Sequence, residues 1–375
     1  CEAIAQSCAT MASPWLLQSG GKDSTTLAIA LADARPDATC ITYLGGREEN
    51  EVESARQVAR RLGLRHESLI CDPGRAYDRY LALAGRMPLL TADFALLSYA
   101  DLGTEVRARG GDGVIDGLGA DSYFGTPVDR QHQWLGRIAR DVRLPLDLTA
   151  LPGVDRSFEA CFLLGTLQMN PIERVFPGSR FSDAEVDELF GHPISRRSRA
   201  RMALFQEEIA TATSEWEWRD MSMSIAGSAG AFAKGLYTAH ALGLDAAYPF
   251  CDHDLREWIH REVPRRQKVD PETGVNKMLI RRHIATRFAE LPYVQRKGSF
   301  RFDLCGLAAQ RFDQVHGFAD AMRDLLPGAA PWLERNRRRL DNKYHASKFY
   351  LLAIVLPWLA ARGAAATPIA HEAAA

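Results

Sequence analysis

Two adjacent glycines followed by Lys-Asp-Ser constrain this chain more than any other stretch. The hexapeptide Ser19-Gly20-Gly21-Lys22-Asp23-Ser24 lies between the apolar run Trp15-Leu16-Leu17 and the helix-forming run Thr26-Leu27-Ala28-Ile29-Ala30-Leu31. A strand must therefore turn sharply into a helix, and glycine permits the turn. The free amide N–H groups and positive dipole end of that helix then face whatever lies beyond the strand, which makes the segment a phosphate cradle. Ser19 and Ser24 add hydroxyl donors, Lys22 a mobile positive charge, and Asp23 a carboxylate able to hold magnesium against phosphate oxygens. The common nucleotide P-loop has four residues between its glycines and ends in Gly-Lys-Ser/Thr, so this is a different cradle.

The first third alternates strand and helix signals, the pattern of a parallel sheet covered on both faces. Strands are expected at Pro14 to Gln18, Ala38 to Tyr43, His66 to Cys71 and Gly113 to Asp116. Helices are expected at Thr25 to Asp33, Glu48 to Leu62, Ala76 to Ala84 and Phe94 to Arg109. From about Arg130 the strand signal fades and helical runs dominate, with a capping box at Ser182-x-x-Glu185. The expected organisation is an α/β core over 1–130, a mostly helical region over 131–365 and an Ala-rich tail over 366–375.

A second glycine-rich motif, Asp116-Gly117-Leu118-Gly119-Ala120-Asp121-Ser122-Tyr123-Phe124-Gly125, closes the fourth expected strand. Ligands of such sheets lie beyond the carboxyl ends of the strands. Gly117 and Gly119 allow the backbone to approach a ligand there, and Asp121 directs a carboxylate toward the crevice that Asp23 faces. Two aspartates beside a pyrophosphate suit Mg²⁺, which takes one or two carboxylates plus phosphate oxygens.

Composition narrows the partners. With 46 basic and 47 acidic residues, the net charge of −1 provides no basic field to draw nucleic acid. Seven scattered cysteines without Cys-x-x-Cys pairing suit a reducing cytoplasm, and no signal segment opens the chain. The longest apolar run, Phe349 to Ala361, is too short to span a bilayer and contains Pro357, so it is expected to be a buried helix. Two basic clusters, Arg196 to Arg201 and Arg335 to Arg339, read as solvated helix faces.

The hexapeptide resembles the signature of the PP-loop ATP pyrophosphatases, which split ATP between its α- and β-phosphates and pass AMP to a substrate oxygen. The decapeptide resembles the Ser-Gly-Glu-Gly-Ala-Asp-Glu-x-Phe-Gly element of asparagine synthetases. Tyr248-Pro249-Phe250-Cys251-Asp252, Val263-Pro264, Asn276-Lys277-x-x-x-Arg281, Leu291-Pro292 and Arg296-Lys297-Gly298-Ser299-Phe300 follow that family's order. The resemblance runs through residues 14 to 360, loosely from Arg130 to Lys234.

This resemblance implies an adenine nucleotide α-hydrolase-like core and an ATP-dependent ligase that adenylates a carboxylate or amide-type oxygen and lets an amine displace AMP. Residues Ser19 to Ser24 would hold the pyrophosphate portion of ATP, with Asp23 and Asp121 on magnesium. Leu17, Thr42 and Gly117 would line the adenosine site through backbone groups, and Gly119 and Lys277 would stand near the nucleotide, Lys277 as a structural or phosphate-facing cation. Lys297 would neutralise charge in the adenylation and amide-forming transition states, beside the catalytic contributions of Lys22 and Asp23. Cys1 stands 18 positions before Ser19, too few for a glutaminase domain in the sequence printed, so nitrogen is expected from ammonia, a partner subunit or a substrate amine.

Departures from the family pattern point away from asparagine as product. Leu118 replaces a glutamate, or the tyrosine of β-lactam-forming relatives, and leucine cannot act as a base. Asp245 and Ala247 replace a Glu and an Arg. Two alternatives stand beside the ligase: a tRNA-modifying or thiolating PP-loop enzyme, which Lys22 resembles, and a degenerate module that binds ATP without turnover.

Overall fold

A computed structural model describes residues 1–45, 49–125, 143–144, 148–149, 151–169, 173–174, 180–290 and 302–363. Lys297, the Leu291-Pro292 and Arg296 to Phe300 elements, and the Ala-rich tail lie outside the described residues.

Strands β1 (Pro14–Leu17), β2 (Thr39–Leu44), β3 (Arg65–Ile70), β4 (Gly113–Ile115) and β5 (Asp245–Ala247) form one sheet in the order β3-β2-β1-β4-β5, parallel throughout. Alternation across the pleat puts Trp15, Ile41 and Val114 in one core cluster and Leu16, Cys40 and Ile115 in another. The Lys22–Ala34 helix covers the Leu16 face through Leu27 and Leu31, and the Leu96–Ala108 helix covers the Trp15 face through Leu102 and Val106. Burial on both faces explains why these strands read as short apolar runs.

This order has a functional consequence. The chain leaves β1 toward β2 and β3 on one side, then returns to β1's other side as β4, so the order reverses between β1 and β4. The loops after these two strands bound the crevice where open α/β sheets take ligands. They are the two glycine-rich motifs.

Two differences from the sequence expectation bear on the site. The helix after β1 begins at Lys22 rather than Thr25, so Lys22, Asp23 and Ser24 form its first turn. Among the described residues after Arg130 there is also a strand, β5, whose Asp-Ala-Ala sequence has no β-branched or aromatic residue to signal it. It completes the edge beside β4, and Asp116 N donates to Ala247 O at 3.0 Å, anchoring the start of the second motif. Asp245 sits opposite Gly113 at the amino end of β4 and accepts from Thr10 Oγ1, away from the ligand rim.

The helical part packs on the core through the Pro73–Ala84, Leu304–Ala321 and Lys343–Gly363 helices, around Tyr77, Tyr80, Trp332, Phe349 and Tyr350. Tyr80 donates to Ile354 O at 2.6 Å, which ties the core to the helix containing Pro357. The Ser182/Glu185 capping box opens the Asp183–Phe190 helix as expected, and Glu185 also accepts from the buried Lys348 at 2.7 Å. No two of the seven cysteines are joined by a disulfide. Among the described residues, no helix is long and apolar enough to cross a membrane.

The helical core gives the fold a pH limit. Burial, followed by the charges of Lys348 and Arg339, pushes the His345 imidazole down to about 4, so it is neutral in the folded chain. The unfolded chain, with an ordinary value of 6.5, takes up a proton that the fold refuses. Stability from this group is therefore complete above 6.5 and is lost as pH falls toward 4, by about 2 kcal/mol between pH 7 and pH 5. Urea midpoints at the two pH values should show this loss in the wild type and a smaller one in His345→Gln.

Candidate active site

Gly20 is required by contact: a Cβ there would lie 2.8 Å from the Cα and carbonyl oxygen of Glu51, in the Glu49–Arg61 helix. The loop is closed by its own serines. Ser24 Oγ donates to Ser19 O at 2.6 Å, and Thr25 Oγ1 donates to Gly21 O at 2.9 Å. Ser24 is buried, and its hydroxyl shapes the cradle through this bond to the Ser19 carbonyl. The Gly21 N-cap provides no side-chain hydrogen bond to the first turn, which leaves that helix end without an internal acceptor.

The second loop lies against the first. A Cβ on Gly117 would meet Asp23 Cβ at 3.6 Å and Ser24 N at 3.7 Å. Gly119 adopts φ 96°, which favours glycine, and starts the short Ala120–Tyr123 helix that carries Asp121. Asp23 and Asp121, nearly a hundred residues apart in sequence, are bridged by one ammonium: Lys277 Nζ is 2.6 Å from Asp23 Oδ2 and 2.7 Å from Asp121 Oδ1. The Lys277 side chain is 3% exposed. Its backbone is left-handed, φ 57° and ψ 42°, a conformation costing a non-glycine residue about 1–2 kcal/mol. Lys22 and Arg281 join this group, and burial together with the charges of Arg281 and Lys277 lowers the Lys22 pKa. Three cations face two carboxylates, an imbalance that favours a polyanion.

Among the described residues, no group of three or more His, Cys, Asp or Glu side chains could cage a metal ion. A pair of carboxylates is nevertheless the protein contribution Mg²⁺ needs when phosphate oxygens supply the rest. Asp23 Oδ1 is buried and has no hydrogen-bond partner, while Oδ2 holds Lys277. An unsatisfied buried carboxylate oxygen fits a cation.

Beside these loops opens a cavity of about 640 Å³, within the usual range for small-molecule sites. Leu17, Ser19, Asp23, Ser24, Gly117, Gly119 and Asp121 lie on its wall, whereas Gly20, Gly21, Lys22, Lys277 and Thr42 do not. The Thr42 hydroxyl pairs with His66 Nε2 at 2.9 Å, while its neighbours Ile41 and Tyr43 lie on the cavity wall. The geometry is a glycine-rich, carboxylate-flanked cradle opening into a largely apolar chamber.

A family model for asparagine synthase matches residues 15–329, most of the chain. The chain belongs to the asparagine synthase family. No curated protein matches it. At the level of the asparagine synthase family, the activity is ATP-dependent ligation of a carboxylate and an amine into an amide.

Beyond the motifs of the asparagine synthase family, the cavity wall carries polar residues that sequence reading missed. Lys234, in the Ala233–Leu242 helix, bonds Asp93 Oδ2 at 3.1 Å and Ala231 O at 3.0 Å and lies over the Tyr99 ring. Tyr99 donates to Asp116, which also accepts from Leu118 N at 3.1 Å. Burial raises the Tyr99 pKa well above its ordinary value, so the phenol stays a neutral donor. Asp116 closes an expected strand at its ligand end, which was a usable signal. Lys234 had a weaker one in the Gly- and Ala-rich segment before it, which forms the π-helical turn Gly227–Phe232, a geometry frequent at functional sites.

Proposed function

We propose that the protein is an AMP- and pyrophosphate-forming carbon–nitrogen ligase: it adenylates a carboxylate or amide-type oxygen with ATP and lets an amine displace AMP. The reading rests on one observation, the convergence of Asp23 and Asp121 on a single ammonium at the rim of the cavity. The first turn of the Lys22–Ala34 helix binds the phosphates, Lys22 and Lys277 offset their charge, and Lys297 completes the cationic side. Leu17, Gly117 and Gly119 let backbone approach the nucleoside. Asp23 and Asp121 would hold Mg²⁺, which when bound would supply electrostatic stabilisation for the leaving pyrophosphate.

The acceptor end differs in character. Asp93 is paired with Lys234 and Asp116 is hydrogen-bonded to Tyr99, so the acceptor is held largely by shape against Tyr43, Phe94, Phe162 and Phe232. With Leu118 in place of a side-chain base, the product is other than asparagine, and the nitrogen comes from ammonia, a partner subunit or an amine on the substrate. Seven cysteines with no disulfide among them support a reducing, cytoplasmic setting. Arg335, Arg337 and Arg339 pair with Glu188, Asp313 and Asp155, which supports a small-molecule or peptide substrate over RNA.

The test is the product. Incubation with ATP, Mg²⁺ and candidate carboxylates and amines is expected to yield AMP plus pyrophosphate. ADP plus phosphate would overturn the adenylation chemistry, and nucleotide binding with no AMP from any substrate would favour a module without turnover.

A further inference from the structure

Lys277 occupies the place between two carboxylates that the proposed function gives to a metal ion, and this inference rests on that reading. Merely neutralising Asp121 would not require Lys277, because Asp121 is 58% exposed and water can solvate it. The chain instead holds Lys277 buried, at the N-cap of the Met278–Ala285 helix, in the left-handed conformation. It is the non-glycine residue with positive φ among the described residues. Backbone strain of this kind persists where the surroundings over-determine it, commonly at ligand clamps and switches. Here those surroundings are Asp23 Oδ2 and Asp121 Oδ1, from the two loops that form the cradle.

An ammonium in hydrogen-bond contact with both carboxylates and a divalent ion cannot share them, because the positive charges would meet at close range. A polyphosphate changes the balance: it brings acceptors for the ammonium and negative charge for the ion. We propose that Lys277 is an internal counter-ion that keeps Asp23 and Asp121 converged in the nucleotide-free protein, excludes free divalent metal, and surrenders the carboxylates when metal arrives with ATP, its ammonium moving to phosphate oxygens. The lysine's four-carbon stem and rotatable donors suit such a transfer. Metal and nucleotide are then coupled, each tightening the other by the same factor.

The experiment measures protein-bound Mn²⁺, by its paramagnetic resonance signal, on the full chain with and without an ATP analogue whose α,β-bridging oxygen is replaced by methylene. The wild type is expected to bind Mn²⁺ at least tenfold more tightly with the analogue. Lys277→Met should bind Mn²⁺ alone at least tenfold more tightly than the wild type, whereas Lys277→Arg, which keeps the charge, should still exclude it. Equal Mn²⁺ affinity in the wild type with and without analogue overturns the counter-ion and leaves the ligase reading intact, and this comparison needs no variant to fold. Analogue binding without any Mn²⁺ that Asp121→Asn removes overturns the ion assignment itself, and the counter-ion with it.

Discussion

Asp121→Asn is expected to slow formation of AMP and pyrophosphate by about 100- to 1,000-fold, the loss that follows removal of one preorganised electrostatic group from a reacting centre. The substitution keeps the size of the side chain and its location in the Ala120–Tyr123 helix, and changes only the charge facing Asp23 and Lys277. The Asp121 side chain is 58% exposed and Lys277 keeps Asp23, so the buried ammonium retains one carboxylate and the loss of stability should stay at about 1 kcal/mol. That separation makes Asp121 a cleaner probe than Asp23, whose buried Oδ1 and contact with the Gly117 loop mix packing with chemistry. A steady-state assay of pyrophosphate release beside a thermal melt decides the matter. Normal turnover by the variant would remove Asp121 from the metal site.

What the sequence made legible was what its near neighbours determine. The two glycine-rich loops declared themselves because each is a local turn with a strand before it, and the strand order then had to bring both to one rim. Lys277 illustrates the opposite case. Its motif was readable, but its contact with Asp23 spans 254 positions, and no local pattern states which of two charged loops a lysine will reach. The Asp93–Lys234 pair spans 141 positions, and Lys234 closes the stretch that resembles the family only loosely. β5 was hidden for a different reason. Three residues of weak propensity become a strand because β4 offers an open edge, a tertiary effect that outweighs local preference. The Thr42–His66 pairing is likewise a contact between strands that no local pattern states.

Asp101→Asn should destabilise the fold by about 3 kcal/mol, because this carboxylate is the buried centre of a charged network. Its side chain is 0% exposed and accepts from Arg75 Nε and Nη2 at 3.0 and 2.7 Å, from Arg79 Nη1 at 2.7 Å, and from Tyr43 OH at 3.2 Å. An amide cannot offset two guanidinium charges, and its NH₂ would face guanidinium donors, with only the Tyr43 oxygen among these partners able to accept from it. Arg75 and Arg79 are 36% and 22% exposed, so water screens part of the loss and holds the expectation to the lower end for a broken buried pair. Arg79 also keeps Glu105 at 2.8 Å. The effect reaches the site through Tyr43, whose ring lines the cavity while its phenol, kept protonated by burial, is tied to Asp101. The variant should therefore show a lowered urea midpoint together with a raised KM for the carboxylate substrate and a nearly unchanged KM for ATP, whose phosphates the proposed function assigns to loops outside this network. Unchanged stability would mean that water replaces the carboxylate without cost. Equal rises in both KM values would mean that the network supports the whole crevice rather than its acceptor wall.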